Sequence, residues 1–250
     1  MDTGLPPDGR PPTRDDGIDV PSRRTFVVGT LLAAPGLMLG GCAWSRSEQQ
    51  GHAGAAHAWR FFTQDEAAFV RSALARLIPA DALGPGAIEA GVDRFIDAQL
   101  AGDYGRAERW YMQGPFRLGT EQQGYQLPLT PAQVYRVAIS QVDAWCHREH
   151  GKAFAMLSAD RQDDALHALE KGQPKMDAVP ADFFFDLLWT NAQEGFLADP
   201  IYGGNRDFAG WKLIGFPGPR YNYVEEITRY GQPYRGPYVS LGGRQPHMEV

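Results

Sequence analysis

The chain has 250 residues, of which 43% are hydrophobic, 12% aromatic and 22% charged, a balance that excludes collagen-like, coiled-coil and wholly disordered architectures. A formal charge of −6 and a pI near 5.5 argue against a diffuse electrostatic grip on nucleic acid or anionic lipid, and two cysteines cannot staple a disulfide scaffold. The 29 glycines and 19 prolines place much of the backbone in turns and irregular segments.

Ser22-Arg23-Arg24-Thr25-Phe26-Val27 precedes an uncharged, mostly apolar run from Val28 to Leu39. That run is too short for a helix to span a bilayer core of about 30 Å. It fits the apolar region of an export signal, with Arg23, Arg24 and Phe26 as a twin-arginine element read by a receptor. Leu39-Gly40-Gly41-Cys42 resembles a lipobox, which would make an acylated Cys42 the mature N-terminus. Cleavage near Ala53-Gly54-Ala55 by an ordinary signal peptidase is the alternative. Without residues 1–41 the chain loses four Arg and five Asp and stays acidic at −5. Twin-arginine export carries folded passengers, often redox enzymes and their companions.

Residues 42–60 are small and polar and read as a flexible tether. Thr63 and Glu66 form a capping box for a helix to about Ile78, whose stripe is Phe69, Val70, Ala73, Leu74, Leu77 and Ile78. A second helix is expected to carry Ile88, Val92, Phe95, Ile96 and Leu100. After a short Trp110-Tyr111-Met112 element, Thr130-Pro131 starts a long helix with Val134, Ala138, Val142 and Trp145 on one face. Ser158 is expected to cap a helix with Leu166 and Leu169 inward, and residues 181–197 form another with Phe184, Leu187, Leu188, Ala192 and Phe196. No alternating strand and no Asn-Gly hairpin occurs, so the fold class is mainly α: an irregular helical bundle over 61–219 with a long non-helical region rich in Gly, Pro and Tyr behind it. From Asp199 the helical period is lost, and the tail at 220–250 holds Tyr221, Tyr223, Tyr230, Tyr234 and Tyr238. Rings so placed are expected to dock on the bundle or on another subunit.

Chemistry-bearing motifs are scarce. No dinucleotide fingerprint, phosphate loop or nucleophile elbow occurs. Asp143 stands where c-type haem attachment before Cys146-His147 needs a second cysteine. His147 and His150 lack a third ligand, and Cys146 reads as a small buried hydrophobe. No catalytic, cofactor-binding or metal-binding residue is assigned. The glycines at 203–204 and 215–218 read as points of close backbone approach rather than anion nests.

Ile78-Pro79-Ala80-Asp81, Pro85-Gly86-Ala87, Ala90-Gly91, Phe95-Ile96-Asp97, Asp199-Pro200-Ile201-Tyr202-Gly203-Gly204-Asn205 and Gly210-Trp211-Lys212-Leu213-Ile214-Gly215-Phe216-Pro217-Gly218 occur in this order. They resemble the gluconate 2-dehydrogenase subunit 3 family, over about residues 62–219; the tyrosine-rich tail and the lipobox have no counterpart in the resemblance. It implies a three-chain complex of a flavin-bearing dehydrogenase, a multihaem c-type cytochrome and this small chain. The small chain would aid folding and assembly and supply the export signal. FAD and c-type haem are then expected in the partners and none here, on the periplasmic side of the cytoplasmic membrane, with membrane association through a partner or a lipidated Cys42. Tyr202, Asn205, Arg206, Phe208, Trp211, Phe216 and Pro217 are the expected partner contacts, with packing of Trp211 inside the bundle as the competing role. The alternative from another class is a stand-alone periplasmic sugar-binding protein or enzyme that stacks pyranose rings on Tyr and Trp. A lipoprotein adapter for some other partner is a third possibility.

Overall fold

The computed structural model describes residues 58–117, 119–120, 123–224 and 226–243. The export element (Arg23, Arg24, Phe26) and Cys42 lie outside the described residues. The elements are α1 (Gln64–Leu77), α2 (Val92–Ala101), α3 (Pro131–His150), α4 (Ala159–Glu170), α5 (Ala181–Leu197) and α6 (Ala209–Ile214), with 3-10 turns at Phe154–Met156, Pro200–Tyr202 and Arg206–Phe208. Among the described residues there is no strand, only two isolated bridges, so the fold is mainly α.

Local chemistry sets the two best-marked helix starts. Thr63 and Thr130 each accept from the backbone N–H three residues on, while Glu66 and Gln133 reach back to the cap N–H, so both capping boxes are complete. Ser158 stands at the start of α4 but makes no capping bond with its side chain. The second helix is shorter than its apolar spacing suggests. It begins at Val92, and Ile88 lies in the turn before it, because Gly91 takes a left-handed φ of 76° that ends helical period there. The Trp110-Tyr111-Met112 segment forms no helix or strand; Trp110 instead lies between Tyr104 and Tyr125, with centroids at 5.8 and 4.9 Å.

α5 is the central element, packing on α2, α3, α4 and α6. Its Phe184 meets Phe69 of α1 and Tyr135 of α3 at centroid distances of 6.2 and 5.6 Å, and Phe69 meets Phe154 at 4.7 Å. All four rings are fully buried and each contributes on the order of 2–3 kcal/mol by leaving water. The buried polar side chains of Tyr135, Asn191 and Asp97 are paired. Tyr135 donates to Asn191 Oδ1 at 2.9 Å and Asn191 Nδ2 donates to Glu194 at 3.1 Å. Asp97 accepts from the backbone N–H groups of Arg60, Phe61 and Phe62 at 2.8, 3.0 and 3.0 Å, so the end of the stretch read as a tether is already fastened to α2.

Candidate partner interface

The residues expected to meet a partner lie in the segment after α5, which holds its shape through single polar bonds. Asp199 accepts from Ile201 N–H at 3.0 Å through Oδ1 and from Leu241 N–H at 2.8 Å through Oδ2. Asn205, fully buried, donates to Ala198 C=O at 2.8 Å and accepts from Gly210 N–H at 2.8 Å. This side chain therefore bridges the end of α5 to the start of α6. Asn205, Asp207 and Phe208 have φ of 46°, 55° and 59°, a left-handed run that the Asn205 bridge and the burial of Phe208 hold in place.

Glycine lets the segment lie flat on α5. A Cβ on Gly204 would stand 2.2 Å from Gly195 C=O, and one on Gly210 would stand 2.1 Å from Phe196 C=O. Arg206 N–H donates to Ala90 C=O at 2.9 Å, and its guanidinium passes 3.1 Å from the Cβ position of Gly91. The early Ala90-Gly91 block and the late Gly203-Gly204-Asn205-Arg206 block are thus neighbours in space.

The seven expected contact residues separate into two sets. Asn205, Phe208 and Trp211 face the chain's own interior. Trp211 is 4% exposed, donates from Nε1 to Leu197 C=O at 2.7 Å and stacks on Phe208 at 5.5 Å, while Tyr238 covers the other side of Phe208 at 5.8 Å. The apolar area of these rings is spent within the chain, because the tail folds back over them. Tyr202, Arg206 and Phe216 are exposed and Pro217 is half-buried.

Composition alone did not single out the aliphatic residues beside them. Leu213 and Ile214 of α6 are 50% and 60% exposed, Leu83 is 77% exposed and Leu197 42%. With Ile78, Pro79, Trp189 and Phe196 they line a largely apolar groove of about 350 Å³ between the end of α1, the 81–85 loop, α5 and α6. The one signal in the sequence is the Leu213-Ile214 pair beside Trp211 in a helix of six residues, whose inward side a tryptophan fills. Arg206, Asp207, Lys212 and Glu89 rim the adjoining hollow of about 330 Å³. A contiguous apolar patch with a charged rim has the anatomy of a protein-binding surface.

The thiol and tyrosine hydroxyls at the core are held in their neutral forms. Burial pushes the Cys146 thiol up to about 12, with Asp143 nearby adding to the shift, so this thiol is an inert part of the core. Burial likewise pushes the Tyr104 hydroxyl up to about 12 and that of Tyr135 well above its ordinary value. His147 Nδ1 lies 2.8 Å from Asp143 C=O, and no three His, Cys, Asp or Glu side chains come together among the described residues.

The groove and Asn205 bridge are built from the same blocks that a family model, gluconate 2-dehydrogenase subunit 3, matches over residues 64–218. This chain belongs to that family. Comparisons with curated proteins and with solved structures gave no match. Membership implies a place in a multisubunit dehydrogenase complex. The match runs from the first residue of α1 through α6 to Gly218 and stops where the tyrosine-rich loop begins. Among the described residues no helix is long and apolar enough to cross a membrane.

Proposed function

We propose that this chain is the non-catalytic small subunit of a membrane-associated, FAD-dependent dehydrogenase complex of the gluconate 2-dehydrogenase type. In this reading it helps the flavoprotein fold and assemble, and its twin-arginine signal carries that partner to the periplasmic side of the cytoplasmic membrane. A c-type cytochrome chain completes the complex and passes electrons onward. FAD and haem reside in the partners.

The observation that supports this reading is the exposed apolar groove at α6. An isolated soluble chain has little reason to leave Leu83, Leu213 and Ile214 in water around a hollow, whereas a subunit covers them on assembly. Arg206 lines the adjoining hollow and supplies directed hydrogen bonds at the rim.

The test is copurification of the flavoprotein with tagged variants of this chain. Leu213→Asp combined with Ile214→Asp leaves the inward Trp211 in place, so the circular dichroism should stay unchanged while capture of the flavoprotein falls at least tenfold. Unchanged capture would move the interface elsewhere. Turnover of a sugar or sugar acid by the purified chain alone would refute the non-catalytic reading and favour the stand-alone enzyme.

A further inference from the structure

The loop at 219–236 lies outside the family match and outside the α6 groove. Arg220 closes its base: the guanidinium lies 4.1 Å over the Tyr234 ring, and Nη2 donates to the Tyr234 hydroxyl and, at 3.2 Å, to Pro237 C=O. Beyond that closure the stem is fixed by Val239 N–H donating to Pro217 C=O at 3.0 Å and by the Asp199–Leu241 bond. Backbone bonds within the loop are local, such as Ile227 N–H to Tyr223 C=O and Arg229 N–H to Glu226 C=O. The chain therefore holds a long loop at its two ends and leaves several of its apolar side chains exposed.

The exposed side chains there are apolar and aromatic. Tyr221 and Tyr230 are almost wholly in water, and Val224 and Ile227 are about two-thirds exposed. Beside them lies a basin of about 930 Å³ lined by Arg220, Arg229, Arg235, Tyr223, Gln232 and Glu226. Arg229 and Arg235 make no ion pair among the described residues, and Arg220 Nε is buried without an acceptor. Three guanidiniums line one hollow, with Glu226 the one carboxylate among its described lining residues, and form a seat for an oxyanion.

We propose that this loop seats the chain on an anionic phospholipid surface. Arg229 and Arg235 take lipid phosphates, Arg220 holds the base of the loop in place for them, and Tyr221, Val224, Ile227 and Tyr230 lie among headgroups and upper acyl chains. Tyrosine suits that boundary because its ring is apolar and its hydroxyl wet. The acidic charge of the whole chain does not oppose this, since charges farther than about 8 Å from the lipid are screened at physiological salt and the loop at 219–236 itself carries three Arg against two Glu. A second polypeptide is the weaker occupant. The family match ends at Gly218, so the surface shared with other small subunits lies on the body, and unpaired arginines beside scattered rings suit a phosphate-bearing boundary better than a packed protein face.

The test uses the full chain with Cys42→Ser, so that no acyl anchor contributes, and Tyr230→Cys carrying a nitroxide; Cys146 is buried and stays unlabelled. With vesicles of phosphatidylcholine and phosphatidylglycerol in equal parts, the label should gain contact with oxygen and lose contact with an aqueous nickel chelate. Phosphatidylcholine vesicles alone or high salt should abolish the change. Arg229→Gln with Arg235→Gln should raise the lipid concentration needed about tenfold or more and leave flavoprotein capture through α6 intact. A label that stays in water on anionic vesicles overturns the proposal, as does equal response in the double variant. Shielding of the label by the flavoprotein without lipid also overturns it and assigns the loop to the partner.

Discussion

The body from α1 to α5 and the segment from Asp199 to Gly243 hold themselves together by different means. In the body, apolar helix faces meet over the Phe69, Phe154, Phe184 and Tyr135 rings, so many small contacts share the stability. In the C-terminal segment, three side chains carry the architecture: Asp199, Asn205 and Trp211, each bonded to backbone groups of other elements. In the first, many contacts share each element's position; in the second, one polar side chain holds two elements together. A surface built the second way has a defined geometry without a large core beneath it, which suits a docking face.

Three substitutions or conditions test this contrast, beginning with the largest effect. Phe184→Ala opens a cavity at the centre of the body and is expected to cost about 3–5 kcal/mol, read as a fall of the urea midpoint with the whole helical signal lost in one transition. Asn205→Ala removes one buried and one part-buried hydrogen bond, from Gly210 N–H and to the Ala198 carbonyl, at about 2–3 kcal/mol. Here the contrast predicts a separate outcome: Trp211 becomes accessible to acrylamide quenching while the body's helicity and main transition stay in place. If Asn205→Ala instead melts the body, the two regions form one cooperative unit.

The smallest effect is alkaline. Tyr104, Tyr135 and Cys146 have folded-state values raised by burial above their unfolded values near 10 and 8.5. For a raised group the favourable contribution is complete below the unfolded value and is lost as pH rises through the folded one. The melting temperature should therefore be flat from neutral pH to about 8 and fall progressively towards pH 12, with the body as the region that loosens. Tyr135→Phe should make that fall shallower; an identical fall would place the alkaline sensitivity elsewhere.

The helices were largely legible because their signals are local. Thr63 with Glu66 and Thr130-Pro131 with Gln133 mark starts by chemistry that operates within four residues, and the stripe of Phe69, Val70, Ala73 and Leu74 falls on one buried face. Cys146 sits on the buried margin of α3 as its apolar neighbours suggest, while Trp145 beside it is only half-buried. Where the sequence misled, the cause was non-local. Ile88 fits the period of α2, yet Gly91 turns the chain so that the Arg206 guanidinium and Gly203 C=O can pack against it. α6 is too short to show a period, so its six residues passed for irregular chain.

The candidate interface shows the same division within one segment. Its glycines, its aromatic content and its family signature are visible in residue order, and so is the absence of a cofactor motif. The direction each ring faces is not. Trp211 and Phe208 turn inward only because Leu197 C=O stands ready to accept the indole N–H and Tyr238, thirty residues later, returns to cover Phe208. That return is fixed by the Asp199–Leu241 bond across 42 positions and by Val239 N–H donating to Pro217 C=O. Composition and spacing thus determined helical class, the helix starts at Thr63 and Thr130, and family, since those follow from contacts a few residues apart. Which side chains are left for a partner was decided by the tertiary structure, because burial is settled by surfaces that meet only after the chain has folded back on itself.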